Sequence, residues 1–183
     1  MSSLFLGLIG FCFLIIFDVC QILNRKRLAV ITSVIGYLSV LGALLILVLS
    51  GTIRSSSRFI LIPEIIVTGI FFLLTLYSIL IEVPFISTYQ SPEKRTVFQK
   101  GTYGLVRHPG FLWFFFMLCS LNFLFQAPFF LRTSLFLVIM NFILISMEDK
   151  FFFPALFSDY YKYKKKVPFI IPKMKFTKNW PES

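Results

Sequence analysis

Five long apolar stretches joined by short polar segments leave this 183-residue chain few ways to fold. A bilayer core of about 30 Å is crossed by about 20 apolar residues in a helix. Leu4–Leu23, Leu28–Ser50, Leu61–Ile81, Phe111–Gln126 and Phe129–Met147 reach or approach that length. Lipid offers no water to backbone N–H and C=O groups, so such stretches satisfy themselves as helices. The expected fold is therefore an all-α membrane protein with five transmembrane helices. The fourth stretch is short, and Ala127-Pro128 makes a tight turn before the fifth, so the last two are expected to form a helical hairpin. A hydrophobic fraction of 57%, with 25 Phe, is beyond what a soluble domain of this size carries.

Charge orients the spans, because Lys and Arg collect on the cytosolic side of short loops. Arg25, Lys26, Arg27, Lys94, Arg95, Lys100, Arg107 and the eight lysines after Met147 share one face, against Arg54, Arg58 and Arg132 on the other. The expected topology has the N-terminus outside and the C-terminus cytosolic, in a plasma (inner) membrane or the endoplasmic reticulum. Asn24-Arg-Lys-Arg follows the first stretch directly and no basic residue precedes it, the reverse of a removable signal peptide, so an uncleaved anchor is expected. One membrane domain covers 1–183. It comprises three N-terminal spans (1–86), a cytosolic loop (87–110), the hairpin (111–147) and a cytosolic C-terminal segment (148–183) with a short interfacial helix. The partners expected are the lipid bilayer and no nucleic acid. Cys12, Cys20 and Cys119 lie in apolar stretches without metal-ligand or disulfide spacing and read as packing residues.

The chemistry-bearing residues form a split constellation. Gly101-Thr-Tyr-Gly-Leu-Val-Arg107-His108-Pro109-Gly-Phe111 opens the hairpin and Glu148-Asp149 closes it. A hairpin that crosses twice returns both halves to one membrane face, where opposite charges are costly unless they bind something. Arg107 offers a planar fork suited to a carboxylate. Pro109 suits the first position of the fourth helix, whose free N–H groups also favour an anion. Glu148 and Asp149 at a helix C-terminus oppose the macrodipole by a few tenths to about 1 kcal/mol each. Of the two, Glu148 is the stronger candidate, since Lys150 or the lysine cluster suffices to neutralise Asp149.

Phe152, Leu156, Tyr160 and Tyr163 follow at helical spacing on one face, with lysines opposite. Lys162 and Lys164 to Lys166 are read as orienting charge without a site. Asp18 is expected to snorkel toward Arg25 or Lys26, Glu64 to be a first-turn acid of the third helix, and Glu82 to end that helix facing the cytosolic pocket.

From about Gly101 to Pro172 the chain resembles the isoprenylcysteine carboxyl methyltransferase and phospholipid methyltransferase superfamily of integral membrane enzymes. The resemblance rests on Gly101, Tyr103, Arg107, His108 and Pro109, then Glu148, Asp149 and Phe152, then Tyr160, Tyr163, Val167, Pro168 and Pro172. It departs from the family pattern at Thr102 where Pro is common, Phe111 for Tyr, Trp113 for a small residue and Leu156-Phe157 for Phe-Gly. The resemblance implies an S-adenosylmethionine-dependent methyltransferase acting on a lipophilic small-molecule or lipidated acceptor: a prenylcysteine carboxylate, a lipid amine or a thiol. It implies a cofactor site built from Gly101, Tyr103, Arg107, His108, Pro109, Glu148, Asp149, Tyr160 and Tyr163. Arg107, His108 and Glu148 are the implied catalytic residues, and no metal is implied. Trp113 is expected to narrow the acceptor pocket. Two rival readings stand beside it: a sterol-type membrane reductase using NADPH, whose C-terminal region resembles the same pattern in longer chains, and a non-catalytic membrane scaffold that keeps the hairpin for packing.

Overall fold

A computed structural model describes residues 2–53, 58–82, 95–125 and 127–172. Arg54, Lys94, Gln126, the first third of the 87–110 loop and the end of the 148–183 segment lie outside the described residues. The described chain runs α1 (Ser2–Ile22), α2 (Lys26–Ser50), α3 (Arg58–Leu76), a π turn (Tyr77–Ile81), a 3-10 turn (Gly101–Gly104), α4 (Pro109–Leu124) and α5 (Pro128–Met147). A second π turn (Glu148–Phe152), α6 (Phe153–Leu156) and α7 (Tyr160–Lys166) follow. Among the described residues there is no strand, only an isolated bridge between Ile53 and Phe125.

Among the described residues four helical stretches are long and apolar enough to cross a membrane: α1, α2, the α3 region and a continuous run from Pro128 through the second π turn to Leu156. The other apolar helix, α4, has 16 residues and is shorter than a full span. Leu38, Leu45, Leu49, Ile62, Ile65, Ile66, Ile70 and Leu73 are exposed along α2 and α3. An apolar surface of that extent suits lipid and would aggregate in water.

Small residues set how closely α1 and α2 approach. A Cβ on Gly10 would lie 2.7 Å from Val40 Cγ2 and 3.0 Å from the Gly36 carbonyl, so glycine is required for backbone-to-backbone contact here. Asn24 turns the chain between them with φ 54, a left-handed conformation that Asn tolerates. It ends α1 at Ile22, one residue before the end expected from hydropathy. α1 also packs on α5, α3 on α4, and α4 on α5. The core joins Phe11 and Leu14 of α1, Leu47 of α2, Phe114, Met117, Leu118 and Leu121 of α4, and Phe130, Leu137 and Leu144 of α5. A hydrogen bond of 2.5 Å between Thr68 and Ser120 ties α3 to α4.

Two expectations about helix ends are corrected. α3 begins at Arg58 and carries Pro63 within it, so Glu64 sits beyond the first turn, where its carbonyl accepts from the Thr68 hydroxyl at 2.8 Å. A proline near a helix start removes one hydrogen bond without stopping the helix. The single interfacial helix expected after Met147 is instead three pieces. α5 continues through the π turn into α6, the chain breaks at an extended Phe157, and α7 starts at Tyr160. α4 and α5 both start on a proline at the first helical position, as its fixed φ and absent N–H favour.

Candidate functional site

The segment leading into α4 is pinned from below by a buried acid. Glu82, at the end of the first π turn, accepts hydrogen bonds from both the backbone N–H and the hydroxyl of Thr102, with the Ser78 hydroxyl donating to it at 3.4 Å. Gly101 has φ 60, and any Cβ there would collide with the Glu82 carboxylate. The Tyr103 hydroxyl donates to the Ser78 carbonyl at 3.2 Å, while the Tyr103 carbonyl accepts from the Tyr163 hydroxyl at 2.6 Å. Gly101 and Tyr103 thus anchor the turn. Thr102 has a physical reason to replace proline, because proline has neither the N–H nor the hydroxyl that Glu82 receives.

Above this anchor the two halves of the constellation meet. Arg107 Nε lies 3.0 Å from Asp149 Oδ1, both side chains being buried. His108 Nδ1 is 3.5 Å from Glu148 Oε2, and its Nε2 is 3.8 Å from Asp149 Oδ1. Asp149 also accepts from the Tyr160 hydroxyl at 2.6 Å and from Lys164 Nζ at 2.6 Å. The carboxylate facing Arg107 is therefore Asp149, and Glu148, the acid the sequence favours, faces the imidazole. Consecutive residues of a helix point about 100° apart, so only one of the two acids can face Arg107. Pro109 is buried beneath the cluster as the first residue of α4.

The C-terminal segment folds back over the same place. The Arg107 N–H donates to the Pro168 carbonyl at 2.9 Å, and Arg107 Nη1 donates to the Lys164 carbonyl at 3.3 Å. Phe169 lies 5.5 Å from the Arg107 guanidinium and meets the His108 ring edge-on at 5.1 Å, with Phe153 stacked on the imidazole's other side at 5.7 Å. Burial lowers the His108 pKa from 6.5, opposed by its contact with Asp149. Burial, followed by the hydrogen bond to Asp149, raises the Tyr160 pKa, and burial raises those of Tyr163 and Tyr103. The three phenols stay protonated and act as donors.

Sequence reasoning missed Lys164, Phe169 and the anchoring role of Glu82. Lys164 was read as orienting charge, and its carboxylate partner fifteen residues upstream is set by how α7 folds back. Val167, Pro168 and Pro172 in the quoted motif were the available signal for that return. Asp18 is corrected too. It is buried, and among the described residues no ion pair joins it to Arg25 or Lys26. Instead it lines a cavity of about 60 Å³ with Phe17, Gln21, Arg95, Phe153, Leu156 and Phe157. Trp113 lies 6.4 Å from Phe71 of α3, against that helix, with its buried indole N–H unpaired. An open apolar groove of about 290 Å³ runs along Phe142, Ile143, Ser146, Met147, Lys150 and Phe151 on α5.

Two buried nitrogens of the cluster, Arg107 Nε and His108 Nε2, lack a hydrogen-bond partner although both are near Asp149 in distance. The cluster thus holds fixed cations, fixed carboxylates and spare polar capacity on one helix start. Such a set can hold an oxygen-rich polar ligand and move a proton at His108 or Glu148. Among the described residues no group of His, Cys, Asp and Glu could hold a metal ion. No family model, curated protein or solved structure matches the chain.

Proposed function

We propose that the chain is a five-span integral membrane enzyme transferring a methyl group from S-adenosylmethionine to a lipophilic acceptor, with its N-terminus outside and its site on the cytosolic face. The observation that carries this reading is the meeting of Arg107-His108 with Glu148-Asp149, Tyr160 and Tyr163 at one end of the α4–α5 hairpin. The motif resemblance to isoprenylcysteine and phospholipid methyltransferases supports it from the sequence side. In this reading α4, although short, is the fourth of the five spans, and α6–α7 lie at the interface.

The residues present fit the cofactor's chemistry. Arg107 Nε and His108 Nε2, which face Asp149 without a hydrogen bond to it, suit the cofactor's oxygen acceptors, and the carboxylates suit its hydroxyl and ammonium groups. When bound, S-adenosylmethionine supplies a methyl group on an already activated sulfonium. Arg107 and His108 hold polar oxygens at the start of α4, while Asp149 is fixed by Lys164 and Tyr160. Phe153 and Phe169 exclude water from the imidazole. A carboxylate acceptor arrives charged and needs no base. An amine or thiol acceptor gives its proton to Glu148 or to His108, whose lowered pKa keeps it neutral and able to accept.

A second reading has an observation of its own. Asp149 is largely satisfied by Arg107, Lys164 and Tyr160, which is what a purely structural ion cluster needs. Titration of S-adenosylhomocysteine into the detergent-solubilised protein separates the two. Methyl transfer expects binding that is lost in Arg107→Ala and Glu148→Ala variants. No binding, with both variants behaving like the parent in cells, leaves the scaffold. Tight binding of NADPH in its place moves the assignment to the reductases.

A further inference from the structure

α7 has two faces, and the cluster around Arg107 uses only one of them. Its inward face carries Tyr160 and Tyr163, both buried, whose hydroxyls donate to Asp149 and to the Tyr103 carbonyl, and Lys164, whose Nζ reaches Asp149 at 2.6 Å. Its outward face carries Tyr161, Lys162, Lys165 and Lys166, all exposed. Their positions, two neighbours followed by two neighbours one turn later, set them side by side along a single helical face. No acid interrupts that face. Asp159, the residue before the helix, accepts from the Val97 N–H at 2.9 Å and from the Gln99 amide at 3.4 Å. Among the described residues the three lysines take part in no ion pair. Lys162 lies three and four residues before Lys165 and Lys166, the spacing at which like charges on a helix repel. The outward face is therefore stabilised by an anion that comes from outside the chain.

Position decides the source of that anion. The apolar run Pro128–Leu156 is long enough to cross a membrane, and only Phe157, Ser158 and Asp159 separate it from Tyr160. Four residue steps reach about 14 Å at full extension, so α7 stays at the end of the spanning run, where the headgroups of one leaflet lie. Tyr161, 66% exposed, shares the face with the lysines, and tyrosine is a residue type that settles at headgroup depth. A soluble polyanion would meet the lysines but leave that ring in water. A zwitterionic headgroup brings its own cation, so its net attraction to three lysines is small.

We infer that the outward face of α7 is a docking surface for anionic phospholipids of the adjoining leaflet, with their phosphates on Lys162, Lys165 and Lys166 and the Tyr161 ring among the glycerol and upper acyl groups. The surface is independent of the methyl-transfer reading, because none of these four side chains belongs to the cluster around Arg107.

The test is mass spectrometry of the intact full chain released from detergent micelles that hold equal amounts of dioleoyl phosphatidylglycerol and dioleoyl phosphatidylcholine. The tails are identical, so the ratio of the two lipids retained on the protein reads the headgroup. Each lysine near an anionic surface contributes about fivefold, and the parent is expected to retain phosphatidylglycerol about tenfold or more over phosphatidylcholine. Lys162→Gln, Lys165→Gln and Lys166→Gln together remove that preference, whereas Lys162→Arg, Lys165→Arg and Lys166→Arg together keep it. Arg25→Gln, Lys26→Gln and Arg27→Gln, which neutralise the exposed basic run between α1 and α2, also keep it. Equal retention of the two lipids by the parent overturns the inference, and so does heparin binding at these lysines without a lipid preference. A preference that survives the glutamine changes on α7 and is lost with those at Arg25, Lys26 and Arg27 moves lipid docking to the other loop and overturns it too. A check on the parent needs no variant to fold. Raising the salt from about 0.1 to about 1 M shortens the screening length from about 10 to about 3 Å, which should cut the preference severalfold. An undiminished preference in high salt would show that headgroup charge is not what the surface reads.

Discussion

Asp149 and Asp18 are both buried acids near the same end of the helix bundle, and they are treated in opposite ways. Asp149 receives Tyr160 and Lys164 and faces Arg107 at 3.0 Å. Asp18 keeps an oxygen without any hydrogen bond beside a cavity. Glu82 resembles Asp149, since Thr102 and Ser78 supply it. A buried carboxylate with a full set of donors holds the fold together, whereas one left short of donors bears the cost of burying an unpaired polar atom. The same side-chain chemistry thus has two different energetic consequences, separated by how completely its lone pairs are filled.

The sharpest way to break this comparison is to remove the filled acid. Asp149→Ala leaves Arg107 buried without its carboxylate and releases Lys164 and Tyr160, which should cost about 3–5 kcal/mol. Thermal unfolding in detergent should show a large drop in midpoint or no cooperative transition at all. A drop no larger than that of a surface substitution would mean that the cluster does not hold α7 against the hairpin.

Next in size is Thr102→Pro. It restores the residue common in the resembling family and deletes both donors to Glu82, at about 2–3 kcal/mol for hydrogen bonds to a charged group. Thr102→Val, which keeps the N–H, should lose about half as much. Equal midpoints for the proline variant and the parent would show that Glu82 finds donors elsewhere.

These two anchors differ in how visible they are in the sequence. The membrane-crossing helices are legible because lipid imposes a length and forbids unpaired backbone, so hydropathy alone places α1, α2, α3 and α5 within a few residues. The start of α4 is legible because Arg107-His108-Pro109 joins a ligand-type pair to a helix-initiating proline. That the pair meets acids from the far end of α5 follows from a hairpin returning to its own side. Which acid meets Arg107 is not legible, because it depends on the rotation of α5 about its own axis against α4, which hydropathy along a lipid-facing helix leaves open. Lys164 and Glu82 were equally hidden. Their partners lie 15 and 20 residues away and are fixed by how α7 and the Gly101–Gly104 turn fold back, not by spacing.

A smaller effect should appear with pH. His108 faces Asp149, Glu148, Arg107 and Lys164, and burial lowers its pKa from 6.5. Above pH 6.5 neither the folded nor the unfolded chain carries this proton, so stability is unaffected through this group. As pH falls below 6.5 the unfolded chain takes up a proton that the folded chain refuses, and stability declines until the lowered native value is reached. The thermal midpoint should therefore be lower at about pH 5.5 than at about pH 7.5, and His108→Gln should remove part of that difference. An unchanged difference in the glutamine variant would assign the slope to other groups and would place His108 outside the tightly buried part of the cluster.

The smallest expected effect tests the unfilled acid and decides whether the comparison stands. Asp18→Asn keeps the size of the side chain and changes a carboxyl oxygen that no donor reaches. The substitution takes no hydrogen bond away from that oxygen, so the midpoint should stay close to the parent's. Asp149→Asn, equally conservative in shape, removes the charge that Arg107 and Lys164 require and should be clearly destabilised. The difference between the two asparagine variants is the informative quantity, because membrane mimetic, volume change and helix propensity are shared. A large gap means that burial alone did not select these acids and that the donors around each one define its role. Two equal losses would mean that Asp18 has a structural partner as firm as those of Asp149, and the contrast between a filled and an unfilled carboxyl group would disappear.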